Sequence, residues 1–93
     1  MPNFLARVEL RDAAEADYAN LNTRMEALGF VRTVRADDTR THQLPTGNFI
    51  GTGDGTTQQV RELASQAAAE TGKAFGVLVV ECEKAAWFGL PLA

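Results

Sequence analysis

Phe4-Leu5-Ala6-Arg7-Val8-Glu9-Leu10, followed by Asp12-Ala13-Ala14-Glu15, decides how this chain is read. Phe4, Ala6, Val8 and Leu10 alternate with Leu5, Arg7 and Glu9. That period of two predicts a strand with one face buried and Arg7 and Glu9 on the other. Asp12 and Glu15 have the spacing of a capping box, which predicts a helix start. Ala14, Tyr18, Leu21, Met25 and Leu28 continue at steps of three and four, an apolar helical stripe. Gly29 stands where a helix C-cap is expected.

Beyond this strand–helix unit, Phe30 to about Ala36 reads as a second strand. Residues 37–45 read as a turn or long hairpin connection, with Asp37 and Asp38 as turn formers. Thr46 to Thr52 reads as a third strand, weakened by Gly47 and Gly51 and suited to an edge. Gly53-Asp54-Gly55 marks a turn. Thr56 and Gln59 again have capping-box spacing, and Val60, Leu63, Ala64, Ala67 and Ala68 form a second helical stripe closed by Gly72. Residues 74–82, AFGVLVVEC, are the most continuously apolar run and predict a central, buried strand. The order strand–helix–strand–strand–helix–strand predicts an α+β, ferredoxin-like βαββαβ sandwich. Two crossovers would place both helices on one face of a four-stranded antiparallel sheet and leave the other face open.

The 93 residues suit a single domain, 1–93, with residues 84–93 as a docking tail carrying Trp87, Phe88, Leu90 and Leu92. One cysteine, Cys82, precludes an intrachain disulfide and reads as a buried structural residue. The N-terminal stretch lacks the apolar run of a signal peptide, and nothing in the sequence is long and apolar enough to span a membrane. A cytoplasmic location without membrane association is the expectation. A net charge of −3 argues against a sequence-blind nucleic-acid coat, but not against a local basic patch. Six of the nine basic residues lie at or before Arg40, and all six are arginine, the better residue for bidentate phosphate contact.

The densest polar segment, Arg32 to His42, holds three of these arginines, Asp37, Asp38 and the single histidine. RNA cleavage needs a base for the 2′-hydroxyl, an acid for the leaving oxygen and cations for the phosphorane charge. His42 and Glu9 are the candidate catalytic residues, and Arg7, Arg32, Arg35 and Arg40 the candidate RNA-binding residues. The competing structural reading is a solvated hairpin whose charges pair locally, with Glu9 in a cross-strand ion pair. Asp37-Asp38 has the oxygen ligands a divalent metal would take, but reads better as a turn, and a lone histidine makes a zinc site improbable. No cofactor is expected. Gly51 to Gly55 lacks the lysine of a phosphate-binding loop and reads as a plain turn. Trp87 and Phe88 read as core or interface residues rather than a base-stacking platform.

Phe30, Val34, Asp37-Asp38, Gln43-Leu44 and Asn48-Phe49, with Met25 and the Gly29-Phe30 helix exit, give a chain that resembles the GhoS-type antitoxins. These are small ferredoxin-like proteins of bacterial type V toxin–antitoxin systems. The resemblance implies an endoribonuclease that cuts a toxin's messenger RNA. It also implies a fold similar to the small CRISPR-associated nucleases, in which an acid near the end of strand one is typical. Glu9 matches that position with Glu in place of the usual Asp, and the added methylene counts against metal-dependent chemistry. His42 matches a basic residue before Gln43-Leu44. The alternative reading is a non-catalytic interaction module, homodimeric through edge pairing of Thr46–Thr52 or through the apolar tail. A weaker third is a small-ligand binder using the open sheet face.

Overall fold

The structure is a computed structural model and describes residues 2–35, 40–83 and 85–93. The proposed turn and metal residues Asp37 and Asp38 lie outside the described residues.

The opening strand forms as its alternation predicts. β1 (Asn3–Leu10) buries Phe4, Ala6, Val8 and Leu10 and exposes Arg7 and Glu9. It is the centre of a three-stranded antiparallel sheet ordered β4-β1-β5, where β4 is Asn48–Thr52 and β5 is Phe75–Cys82. Ala6 lies opposite Phe49 of β4 and Val79 of β5. A small central residue thus makes room for a large neighbour.

Helix α1 (Glu15–Ala27) begins two residues later than the Asp12 reading. Its N-cap is Ala14, whose N–H donates to the Asp17 carboxylate at 2.9 Å. Asp12 instead takes a left-handed conformation, φ 51°, in the connection. Asp tolerates this better than most side chains. The helix exit is the predicted one. Gly29, at φ 94°, donates to Glu26 O, and Phe30 N donates to Met25 O. That pair of bonds is a Schellman cap, with the buried Phe30 and Met25 as its apolar contact. The Tyr18 hydroxyl holds the end of β1, accepting from Leu10 N at 3.0 Å and donating to Leu10 O at 3.3 Å.

Helix α2 (Thr57–Ala69) starts on the Thr56–Gln59 capping box. Thr56 Oγ1 accepts from Gln59 N, and Gln59 Oε1 accepts from Thr56 N. Thr56→Ala should therefore cost about 1 kcal/mol, read by chemical denaturation. Of the Gly51–Gly55 stretch expected as a turn, Gly51 and Thr52 belong to β4 and the bend is confined to Gly53 and Asp54: Gly53 N donates to Pro2 O, and the chain leads straight into this cap. Val60, Ala64, Ala67 and Ala68 of α2 join Leu21 and Met25 of α1 against β1 and Phe49. Leu63 and Leu28, both expected in the stripes, are exposed.

The sheet departs from the four-stranded expectation in two ways. Among the described residues, the segment after α1 pairs with β4 in strand fashion at Val31, which exchanges both backbone hydrogen bonds with Ile50 at 2.8 Å. It then separates as β2 (Thr33–Arg35) and pairs with β3 (Thr41–Gln43) in a two-stranded ribbon. The reason lies in β4. Asn48 N bonds back to Pro45 O in a tight turn, so β4 begins at Asn48 rather than Thr46. Past that point it offers no edge for a longer second strand. The ribbon gains backbone partners from the tail instead: Gln43 N donates to Pro91 O and Ala93 N to Thr41 O. The second departure is β5, which is an outer strand rather than a central one. Phe75, Val77 and Val79 pack on the core beneath α2, while Leu78 and Val80 remain 61% and 41% exposed. Thr46–Thr52, expected as the dimer-forming edge, has β1 on one side and Val31 on the other.

A candidate nucleic-acid interface

Cross-strand register fixes what the open face of the sheet displays, because directly opposed residues share a face. Ile50, Leu5 and Val80 form one row, and Asn48, Arg7 and Leu78 the next. Glu9 stands opposite Gly76, and the Arg11 guanidinium occupies the space beside Gly76, with Nη2 3.5 Å from where a side chain would begin. Arg11, which is not among the six candidate residues, therefore flanks Glu9 on this face together with Arg7.

At the Asn3 end of the same face, the ribbon and the tail enclose a groove of about 710 Å³. Arg35, Thr33 and Val34 of β2 line one side, and Asn3, Ile50 and Cys82 of the sheet line the other, with Trp87 of the tail completing it. The indole lies against the His42 ring, centroids 5.8 Å apart and planes tilted by 56°. His42 Nδ1 is 3.2 Å from Leu90 O, and the backbone of His42 bridges to Leu92. The tail thus holds the histidine by a hydrogen bond, a ring contact and a strand-like bridge.

The six candidate residues do not form one cluster. His42 pairs with Val34 across the ribbon, whereas Arg35 pairs with Thr41. Strand alternation therefore puts His42 and Arg35 on opposite faces of the ribbon. Arg32 is committed to an ion pair with Glu26, Nε to Oε1 3.3 Å, with both side chains substantially exposed. Such a pair is worth little to stability, yet it partly neutralises the cation. Arg40 is exposed immediately before β3. Arg7 and Glu9 lie on the open sheet face as the alternation predicts. Six residues of extended chain separate Glu9 from Asn3 of the groove, roughly 20 Å. No hydrogen bond or ion pair joins Glu9 to His42 among the described residues.

Chemically, the groove offers an indole for stacking, a guanidinium for phosphate, and Asn3 and Thr33 for hydrogen bonds, with the Glu83 carboxylate lining it as well. Among the described residues, no group of three or more His, Cys, Asp or Glu could hold a metal ion. Nor, among them, is any helix long and apolar enough to cross a membrane. Trp87, Asn3 and Thr33 were not legible as site residues: their meeting depends on the path of the tail. Comparison with protein-family models and with curated proteins gives no match. The fold and site define a small α+β protein, with two helices, a three-stranded sheet and a two-stranded ribbon among the described residues.

Proposed function

We propose that this is a cytosolic RNA-binding protein of ferredoxin-like type that takes single-stranded RNA into the groove between sheet and ribbon. The observation that carries the reading is Trp87 lining a groove together with Arg35, Asn3 and Thr33. Unpaired bases are bound by stacking on aromatic rings beside cations that track the backbone. Arg7 and Arg11 extend the cationic track along the open face, and Arg40 extends it on the ribbon. The ferredoxin-like assignment rests on strand order. β4-β1-β5 with Val31 outside β4 matches a four-stranded sheet whose outermost strand has shrunk to one bridge.

The resemblance to GhoS-type antitoxins extends the proposal to endonucleolytic cleavage, with a toxin transcript as the class of target. In that reading His42, which borders the groove through Trp87 and is not part of its lining, transfers the proton, held in orientation by Leu90 O and Trp87. Glu9, placed between Arg7 and Arg11, acts away from the histidine and organises these cations rather than forming a dyad with it.

Incubating the purified protein with a mixed RNA pool, with and without EDTA, tests both parts. Retarded RNA at low salt and cleavage that persists in EDTA are expected. His42→Ala should reduce cleavage about 100-fold or more, the usual worth of a proton-transfer group, with little change in melting midpoint. Absence of both retardation and cleavage would remove the RNA reading. Unchanged cleavage by His42→Ala would remove the role of the histidine alone.

A further inference from the structure

The outer edge of β5 carries no strand among the described residues, although β5 is eight residues long. Its hydrogen-bond phase is fixed by one contact: Arg11 N donates to Ala74 O at 2.9 Å. In an antiparallel ladder alternate residues bond the same neighbour. Gly76, Leu78 and Val80 therefore turn their backbone groups to β1, and Phe75, Val77, Val79 and Glu81 turn theirs outward. Positions 74–80 hold no charge and no proline, the two devices that normally block such an edge.

We propose that this edge pairs with the same edge of a second copy, antiparallel and two-fold symmetric, centred on Val77. This register sets opposite charges at the two ends of the strand and apolar residues between them. Lys73, two residues before β5 and with its ammonium 3.9 Å from Asp17 Oδ2 in the monomer, falls opposite Glu81 of the other copy if the pairing runs on past the strand. Phe75 falls opposite Val79 on the helix side. On the open face the large Leu78 and Val80 fall opposite the small Gly76 and Ala74. Centring on Leu78 would set Glu81 against Phe75, and centring on Val79 would set it against Val77. Each places a carboxylate on an apolar side chain. The pairing flanks Leu78 and Val80, which are exposed in the monomer, along the sheet edge and leaves their open-face surface uncovered. Arg61 of α2 borders this edge with Thr57 and Gln58. It is the like-charged pair the dimer accommodates at its rim, where a long stem can carry the charge into solvent. Joining two copies makes one continuous sheet, with both open faces on the same side. This inference does not rest on RNA binding.

Sedimentation equilibrium on the full chain tests it, with dimer expected at concentrations up to roughly 0.1 mM. Val77→Pro removes an outward N–H and leaves the β1 ladder intact, so it should yield a folded monomer. Lys73→Glu and Glu81→Lys should each weaken self-association about tenfold by setting like charges face to face. Mixed together, the two variants should form a heterodimer close to wild-type affinity, since both cross-strand pairs are then of opposite sign. A wild-type chain that stays monomeric overturns the proposal, as does a mixture no tighter than its components. The mixing result decides the matter even if Val77→Pro fails to fold.

Discussion

Ending the chain at Ala86 should weaken RNA binding by at least about tenfold while leaving the core sheet's melting midpoint within a few degrees of the full chain. The tail contributes nothing to the core, which is built from β1, β4, both helices and Phe30. Its bonds go to the ribbon: Pro91 O receives Gln43 N, Ala93 N reaches Thr41 O, and Leu90 O faces His42 Nδ1. Truncation therefore removes one side of β3 and the indole against His42 together. Loss of a stacked base is worth about 1–3 kcal/mol, which spans the tenfold loss expected. Trp87→Ala alone should show most of that loss, because it keeps the backbone pairing and removes the ring. Amide hydrogen exchange gives a second readout that does not depend on RNA. Gln43 should lose protection in the truncated chain, while Ala6 and Val8 keep theirs. Equal protection of Gln43 in both chains would show that the tail does not hold the ribbon.

The residues that were legible in the sequence are those whose partners lie close along the chain. Alternation in Phe4–Leu10 gave the buried face of β1 and the exposure of Arg7 and Glu9. Thr56 and Gln59 cap each other three residues apart, and Gly29 closes α1 through Glu26 and Met25. The misread features depend on distant partners. The apolar content of β5 suggested a central strand, but β1 holds the centre because it pairs on both sides. The second strand failed to join the sheet because β4 starts at Asn48, after the turn at Pro45. His42 and Trp87 stand forty-five positions apart, and no local pattern announces that the tail returns to β3. Candidate chemistry followed the same rule. Charged residues on strands could be assigned to faces, whereas the groove, made by three separate segments, could not be foreseen.

Gly51→Val should destabilise the protein by about 3 kcal/mol, the upper part of the range for overfilling a packed site. Gly51 is buried on β4 opposite Phe4, and the Phe30 ring lies flush against it. A Cβ there would stand 2.6 Å from Phe30 Cε1 and 2.7 Å from Cδ1, too close for any side chain. Its backbone is not in the left-handed region, so a strand-favouring valine meets an objection of space and not of conformation. Phe30 immediately precedes Val31, whose bridge to Ile50 ties the ribbon to β4. Pushing the ring outward thus loosens the core and the ribbon at once. At roughly 4–8 °C per kcal/mol for a domain of this size, the melting midpoint should fall by more than 10 °C. Phe30→Ala alone should cost a similar amount or more, since it leaves a cavity in the core. The double variant decides whether this contact is the cause. Valine would grow into the space the ring vacates, so the combined loss should be smaller than the sum by at least about 1.5 kcal/mol. Strict additivity would mean that Gly51 is required for another reason, and the link from β4 through Phe30 to the ribbon would have to be abandoned.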